Sequence, residues 1–395
     1  MSIPSVGDSA TRPWTTVELF CGIGGFRIAS DALQIDTVWA NEIEERAASV
    51  YVRQFGDRGF VRGDLRQHTG EIPQHDILTA GFPCQPFSSA GKKKGVYDPR
   101  GTLFAEILAV IQRCQPRFFV LENVKRLLSM DSGKHFATIL RSSIAMGYLL
   151  EWRVLNATWF GLPQNRERVV IVGSRDNGSL RSYLRAENRG LKSLENVALK
   201  FDPSGIREIG DKAQKFKNWG LSWGGKFIDK DVRLPVCEPD RNLRLRHILE
   251  KNPSSKFFFT EDTLKRIENS EKVDRYFNGV EILYNQKGGA RMGYSIFGVN
   301  GVAPTLTSTT SRHYERYRVG DDYRRLTNVE YARLQGFPDG HCDGISPYHQ
   351  YSLFGNAVPP CLVEWVMNRL VRDRFTSVEF AGSTASTQLE LSLDR

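Results

Sequence analysis

A chain of 395 residues with 40% apolar content and no low-complexity bias can fill a substantial core, enough for one large domain and one smaller one. A formal charge of +9 suits a polyanionic partner without requiring one. The six cysteines lack CxxC spacing, the start Met1-Ser2-Ile3-Pro4-Ser5 lacks the layout of a secretion signal, and no apolar run approaches a membrane helix, so a reducing, cytoplasmic setting is expected. The seven histidines show no metal-ligand spacing, which argues against a metal site.

After a polar leader over residues 1–14, strand-like and helix-like runs alternate across residues 15–175. Apolar runs predict strands at 16–20, 37–40, 76–80, 118–121 and 169–172, with helices at 26–33, 44–55, 103–111 and 136–146. Such alternation implies an α/β domain with a parallel sheet covered on both faces. Residues 176–300 dissolve into Gly, Asn, Lys and aromatic residues and read as a smaller, loop-rich insert. Helical period returns at 328–334 and 361–371, inside a stretch of 301–375 that rejoins the first domain, and the Ser/Thr/Glu-rich tail over 376–395 is expected to be disordered.

The chemistry-bearing residues sit where predicted strands end. Glu18-Leu19-Phe20-Cys21-Gly22-Ile23-Gly24-Gly25 is a strand followed by a glycine turn, whose missing side chains let a ligand approach the backbone. Many strand-to-helix turns carry glycines, so the turn alone does not discriminate. The next strand ends in Asn41-Glu42-Ile43, an acid placed to bond a ribose hydroxyl, and Gly63-Asp64-Leu65 offers a second carboxylate for an adenine amino group. Either acid alone reads more readily as a solvated surface charge; together, after successive strands, they favour an adenosine-type cofactor.

Gly81-Phe82-Pro83-Cys84-Gln85-Pro86 then sets a cysteine between prolines, which cannot continue a ladder and which stiffen the loop. A free cysteine is usually a small buried hydrophobe. This one reads instead as a thiol held at the carboxyl edge of a sheet. Leu121-Glu122-Asn123-Val124 closes the following strand, and burial there would raise the Glu122 pKa and suit it to proton handling. In Gln164-Asn165-Arg166-Glu167-Arg168 the alternation puts both guanidiniums on one face if extended, although an exposed edge explains them as well. Ser88-Ser89-Ala90-Gly91-Lys92-Lys93-Lys94-Gly95 joins glycines to a lysine run, ordinarily a solvated face, here a candidate loop closing on phosphates.

These blocks, in this order, resemble the DNA (cytosine-5) methyltransferase family in its bacterial restriction-modification branch. The likeness extends to Arg325-Leu326-Thr327-Asn328 through Gln335-Gly336-Phe337-Pro338 and to Gly355-Asn356-Ala357-Val358-Pro359. It spans residues 15–175 and 300–372 and leaves the insert unmatched. The resemblance implies a Rossmann-like S-adenosylmethionine-dependent methyltransferase sheet with an inserted target-recognition domain, acting on double-stranded DNA, as a monomer associated with the nucleoid when on DNA. A cognate restriction endonuclease, not physically bound, would accompany it.

Position by position, it implies that Cys84 attacks C6 of a flipped-out cytosine while Glu122 holds N3 and the exocyclic amine. Arg166, Arg168 and Gln164 would position the base or build the pocket. The cofactor, released as S-adenosylhomocysteine, would lie against Phe20, Gly22, Gly24, Gly25, Glu42, Ile43, Asp64, Leu65, Pro83, Leu103, Asn356 and Ala357. Ser88, Lys92, Lys93, Lys94, Arg291 and Arg312 would meet DNA. A branch that methylates tRNA shares the catalytic blocks, but Phe82 before Pro83-Cys84 and an insert of well over a hundred residues are more like the DNA enzymes. An inactive DNA-binding relative would be free to lose Cys84, Glu122 and Arg168. A dinucleotide oxidoreductase would not need the proline-cysteine block.

Overall fold

The computed structural model describes residues 13–83, 102–175, 205–210, 214–231, 243–285, 295–307 and 315–372. The chain begins with β1 (Thr15–Leu19), α1 (Gly25–Ala32), β2 (Asp36–Glu42), α2 (Glu45–Phe55), β3 (Phe60–Arg62), α3 (Leu65–His68) and β4 (Ile77–Gly81). It continues through α4 (Thr102–Cys114), β5 (Phe118–Val124), α5 (Lys134–Ala145), β6 (Leu149–Asn156) and β7 (Glu167–Ser174). The buried runs of β1, β4 and β5 need cover on both faces, and the amphipathic helices between them supply it.

The large sheet has the order β3-β2-β1-β4-β5-β7-β6, followed by β9 (Trp219–Trp223), β10 (Lys226–Lys230) and β8 (Arg207–Glu208). From β3 to β5 every pairing is parallel, and from β5 onward every pairing is antiparallel. The expected parallel sheet is therefore the β3-to-β5 half, and the strands beyond β5 add an antiparallel half. The reason is β6, which the apolar pattern conceals: its Glu151 is buried, ion-paired with Arg153 and bonded by the Trp219 indole N–H at 2.8 Å. With β6 present, β7 returns as its antiparallel partner and slots beside β5.

Two boundaries differ from the sequence reading. Residues 207–230, expected inside the insert, extend the large sheet, with β9 covering the edge of β6. Gly224 and Gly225, at φ 50° and 77°, form the two-residue turn between β9 and β10, the left-handed pair that matches a tight hairpin's twist. Conversely β14 (Arg316–Val319) and β15 (Asp322–Arg324), expected in the returning segment, join β11 (Glu271–Phe277), β12 (Val280–Asn285) and β13 (Ser295–Phe297) in a second, five-stranded sheet. α6 (Glu261–Glu268) precedes β11. The expected disordered tail and most of the leader lie outside the described residues.

The final helices α7 (Asn328–Gln335), α8 (Pro347–Asn356) and α9 (Pro360–Arg372) carry the chain back to its start. A Thr327–Glu330 capping box fixes the entry of α7, and Glu330 also takes both ends of the buried Arg324 guanidinium. Leu362, Val363, Val366 and Met367 of α9 share a core with Phe26 and Ala29 of α1. A separate core joins the second sheet, α7 and α8 to Ile23 and to Ala47 and Val50 of α2. Among the described residues no helix is long and apolar enough to cross a membrane, and no group of three His, Cys, Asp or Glu is placed to hold a metal ion.

Candidate active site

Strand order reverses between β1 and β4, which opens a crevice at their carboxyl ends, and the predicted residues that close β1, β2 and β5 lie along that edge of the sheet. Phe20, directly after β1, adopts a left-handed backbone at φ 54°, which costs a non-glycine residue energy and marks a constrained turn. The three glycines that follow have different reasons. At Gly22, with φ 57°, a Cβ would meet nothing within 4 Å, so this position faces open space. At Gly24 a Cβ would strike the Phe55 ring at 2.2 Å, and at Gly25 it would lie 2.2 Å from the Val358 carbonyl oxygen. Gly24 and Gly25 thus admit neighbouring protein, whereas Gly22 leaves room for a ligand.

Gly25→Ala pushes a methyl group into backbone, which has no rotamer to escape into. We expect it to cost at least about 1–3 kcal/mol, the usual scale of overpacking, read as a lowered denaturation midpoint with unchanged m-value. An unshifted midpoint would mean that the loop at Val358 gives way.

Glu42 ends β2 with its carboxylate buried and taken by three backbone donors: Gly22 N–H at 2.9 Å on Oε2, and Ile43 and Glu44 N–H at 2.9 and 2.8 Å on Oε1. Burial holds its pKa above the ordinary carboxylate range even so, with those N–H groups pulling the other way. Oε2, with one backbone donor, keeps a lone pair for a hydroxyl. Ile43 beside it is 61% exposed, an apolar side chain largely open to solvent. Asp64 departs from expectation: its carboxylate caps α3 and is gripped by Arg66, which holds its pKa down. An adenine amino group would share an acceptor already in use. Leu65 lies in the core, so only its backbone could serve a ligand. Pro83 and Asn356 are exposed, Leu103 is half-buried, and Ala357 is buried with its carbonyl bonded to Arg166.

At the end of β5, Glu122 lies opposite Val170 of β7, which sets Arg168 on the same face one diagonal away. The guanidinium closes that gap, with Arg168 Nε 2.9 Å from Glu122 Oε1. Burial raises the Glu122 pKa, while Arg168 and then Arg166 oppose the rise. The other oxygen, Oε2, faces the backbone of Gly81, where a Cβ would reach it only at ordinary contact distance, 3.7 Å.

Arg166 and Gln164 have a different task. Arg166, 1% exposed, donates to the carbonyls of Leu306, Gly355 and Ala357 at 2.9–3.1 Å. Gln164 donates to the Leu334 carbonyl at 3.0 Å and accepts from Leu306 N–H at 3.0 Å. These contacts fasten the strand-like segment at Ala303–Leu306, where the chain re-enters from the insert, and the loop after α8. Sequence alternation placed both arginines on one side, but only Arg168 reaches the carboxylate.

Two residues carried no assigned role in the sequence. Asn123 donates to the Phe82 carbonyl at 2.9 Å and accepts from Val124 N–H at 2.8 Å, so it anchors the segment that leads through Pro83 into Cys84. Its place beside Glu122 was the available signal. Glu18 of β1 is 1% exposed, accepts from the Tyr51 hydroxyl at 3.3 Å, and is pushed up to about 8 by burial against the opposing pull of Tyr51 and Arg27. No pattern in the apolar run around it gives this away. Cys84, Ser88, Lys92, Lys93, Lys94, Arg291 and Arg312 lie outside the described residues.

Comparison with known proteins bears on the same elements. The family described as C-5 cytosine-specific DNA methylase matches residues 14–372. The Type II methyltransferase M.NgoBI of Neisseria gonorrhoeae is 47% identical over 353 residues, covering 89% of this chain and 91% of its own. M.HpaII of Haemophilus parainfluenzae, also a Type II methyltransferase, is 32% identical over 378 residues, covering 90% and 88%. The crystal structure of the S. pombe Dnmt2 methyltransferase superposes with a TM-score of 0.59 at 18% identity, covering 90% of this chain and 98% of that one. The Entamoeba histolytica methyltransferase EhMeth gives 0.57 at 16% identity, covering 92% and 99%. At those identities the two structures attest the fold alone.

Proposed function

Because the chain belongs to the C-5 cytosine-specific DNA methylase family and is a DNA (cytosine-5) methyltransferase of the restriction-modification type, we propose that it methylates a flipped-out cytosine in a specific duplex sequence through a covalent Cys84–C6 adduct. S-adenosylmethionine is the proposed donor and supplies, when bound, an electrophilic methyl group. The residues present fit it. Gly22 faces open space, Glu42 keeps a lone pair for a ribose hydroxyl, and Ile43 offers an exposed apolar surface for the adenine ring.

The observation that carries the reading is the Glu122–Arg168 pair beside Asn123, whose amide holds the carbonyl two residues before Cys84. Cytosine C5 is a weak nucleophile. Addition of the Cys84 thiolate to C6 opens the C5–C6 double bond and moves electron density onto C5, while charge builds at N3 and the exocyclic amine. Glu122, kept dry and with a raised pKa, donates a proton or hydrogen bond there. Arg168 fixes the carboxyl's orientation and leaves the other oxygen to the base. C5 then takes the methyl group with release of S-adenosylhomocysteine; the methylated ring loses its C5 proton to water, N3 returns to Glu122 any proton it received, the C6–S bond breaks, and Cys84 leaves as the thiolate. A target inside a base stack must be extruded first, at about a few kcal/mol, and the basic chain with its Lys92-Lys93-Lys94 run suits contact with the backbone.

The curated relatives with 47% and 32% identity are Type II methyltransferases, which favours DNA over tRNA as substrate. A cognate endonuclease would follow from that setting. Expression in a methylation-free host followed by bisulfite sequencing is expected to show 5-methylcytosine confined to one short sequence context. Genomic DNA without it would remove the reading, and methylation confined to tRNA would replace it.

A further inference from the structure

The carbonyl of Ile23, in the middle of the glycine turn, is held by a residue more than three hundred positions away. His341 lies in the loop between α7 and α8, is 3% exposed, and brings Nε2 to 2.8 Å from the Ile23 oxygen. A carbonyl can only accept, so Nε2 carries the proton. The backbone of the same residue is held from the other side. The His341 carbonyl accepts from Gln54 Nε2 at 2.7 Å and from Arg53 Nη2 at 3.2 Å, both at the end of α2. Its ring packs between Phe337, at 4.8 Å, and Phe55, at 6.1 Å, and Phe55 is the ring that Gly24 makes room for.

His341 is therefore tied to the two chain segments that flank the crevice: the turn after β1, and the helix that starts directly beyond Glu42. The same segments also meet directly: Gly22 N–H bonds the Glu42 carboxylate just before α2, Cys21 N–H bonds the Asn41 carbonyl, and Cys21 packs with Tyr51 and Phe55 of α2. We infer that His341 is a positioning residue for the methyl donor, setting the spacing of the glycine turn from α2 and so the affinity of the pocket between them. Resting on the reading that the donor binds at this turn, the inference assigns His341 no part in the chemistry on cytosine. Burial lowers the His341 pKa below its ordinary value, opposed by the Ile23 bond and aided by the charge of Arg53, while Asp343 on the same loop acts on Cys342.

The probe is S-adenosylhomocysteine, titrated calorimetrically into the full chain, alongside steady-state kinetics. His341→Phe keeps an aromatic ring between Phe55 and Phe337 and removes the donor. One neutral hydrogen bond is worth about 0.5–1.5 kcal/mol net, so the variant should bind the probe about three- to tenfold more weakly. Its kcat at saturating donor and its KM for DNA should stay within about twofold, since ring packing and the chemistry are untouched. His341→Gln, which can return a donor to the Nε2 position, should recover most of the affinity. Gln54 is exposed, so Gln54→Ala leaves the fold intact and should weaken binding about two- to threefold by releasing the far end of the tie. Unchanged probe affinity in His341→Phe would overturn the inference. So would a joint fall of kcat and the melting temperature with a rise in both KM values, the signature of loosened packing. If His341→Phe does not fold, unchanged affinity in Gln54→Ala overturns it instead. A wild-type chain that binds no probe would remove the donor reading itself, an outcome distinct from tight wild-type binding with indifferent variants.

Discussion

Cys84→Ala should lower methyl transfer by at least about four orders of magnitude, the scale on which removal of an attacking group is felt, while S-adenosylhomocysteine binding stays within about twofold of wild type. Without sulfur there is no addition to C6, and C5 stays too weak a nucleophile to react. The variant leaves intact the Asn123 bond to Phe82 and every contact at Gly22 and Glu42, so the donor pocket is not disturbed. Duplex containing 5-fluorocytosine gives the complementary readout. Fluorine cannot leave C5 as a proton does, so the adduct formed with donor present cannot release Cys84. Denaturing mass spectrometry should find DNA attached at that residue in wild type and none in the variant. Retained turnover by the alanine variant would remove the covalent mechanism while leaving the family assignment in place.

The second large effect belongs to Glu122. Its substitution by Gln is isosteric, keeps a hydrogen-bonding oxygen for Arg168 and takes away the ionisable proton. Loss of positioned acid catalysis typically costs about 10²–10⁴ in rate, and we expect single-turnover methylation to slow by that range while DNA affinity changes by less than about threefold. The pH profile separates this role from simple base contact. Burial raises the Glu122 pKa, so the protonated form persists above the usual carboxylate range. Over the pH range in which Cys84 can react as the thiolate, the wild-type rate should therefore decline as pH rises through that raised value, whereas Glu122→Gln should lack this limb. A loss residing mainly in DNA affinity, or an unchanged limb in the variant, would count against the proton role.

These effects can be localised because Glu122 and Arg168 are a matched pair. The β5–β7 register places them one diagonal apart on a buried face, so each relieves the other's desolvation. Arg166, two residues earlier in the same alternation, stabilises carbonyls of the returning chain instead. Motif spacing alone cannot separate the two arginines. Their partners lie on segments remote in sequence, and the choice between them depends on where the chain re-enters from the insert.

Much of the site was written locally. A strand, a glycine turn and a helix start, an acid closing the next strand, and an apolar run ending in Glu122 each reflect forces that act over a few residues, and each emerged where the pattern predicted. The sequence by itself determined the α/β class, the parallel half of the sheet and the crevice to which these residues would be brought. Tertiary structure decided the remainder. It turned the sheet antiparallel at β7, which lies between β5 and β6, the latter a strand whose buried Glu151–Arg153 pair breaks its apolar run. It gave residues 219–230 to the large sheet and 316–324 to the small one, because an exposed strand edge is satisfied by whichever segment reaches it. It engaged Asp64 with Arg66, committed Gln164 to the returning segment, and set His341 against the turn at Ile23. Periodicity records which face a residue presents, but the partner that meets that face is fixed only when distant parts of the chain compete to cover it.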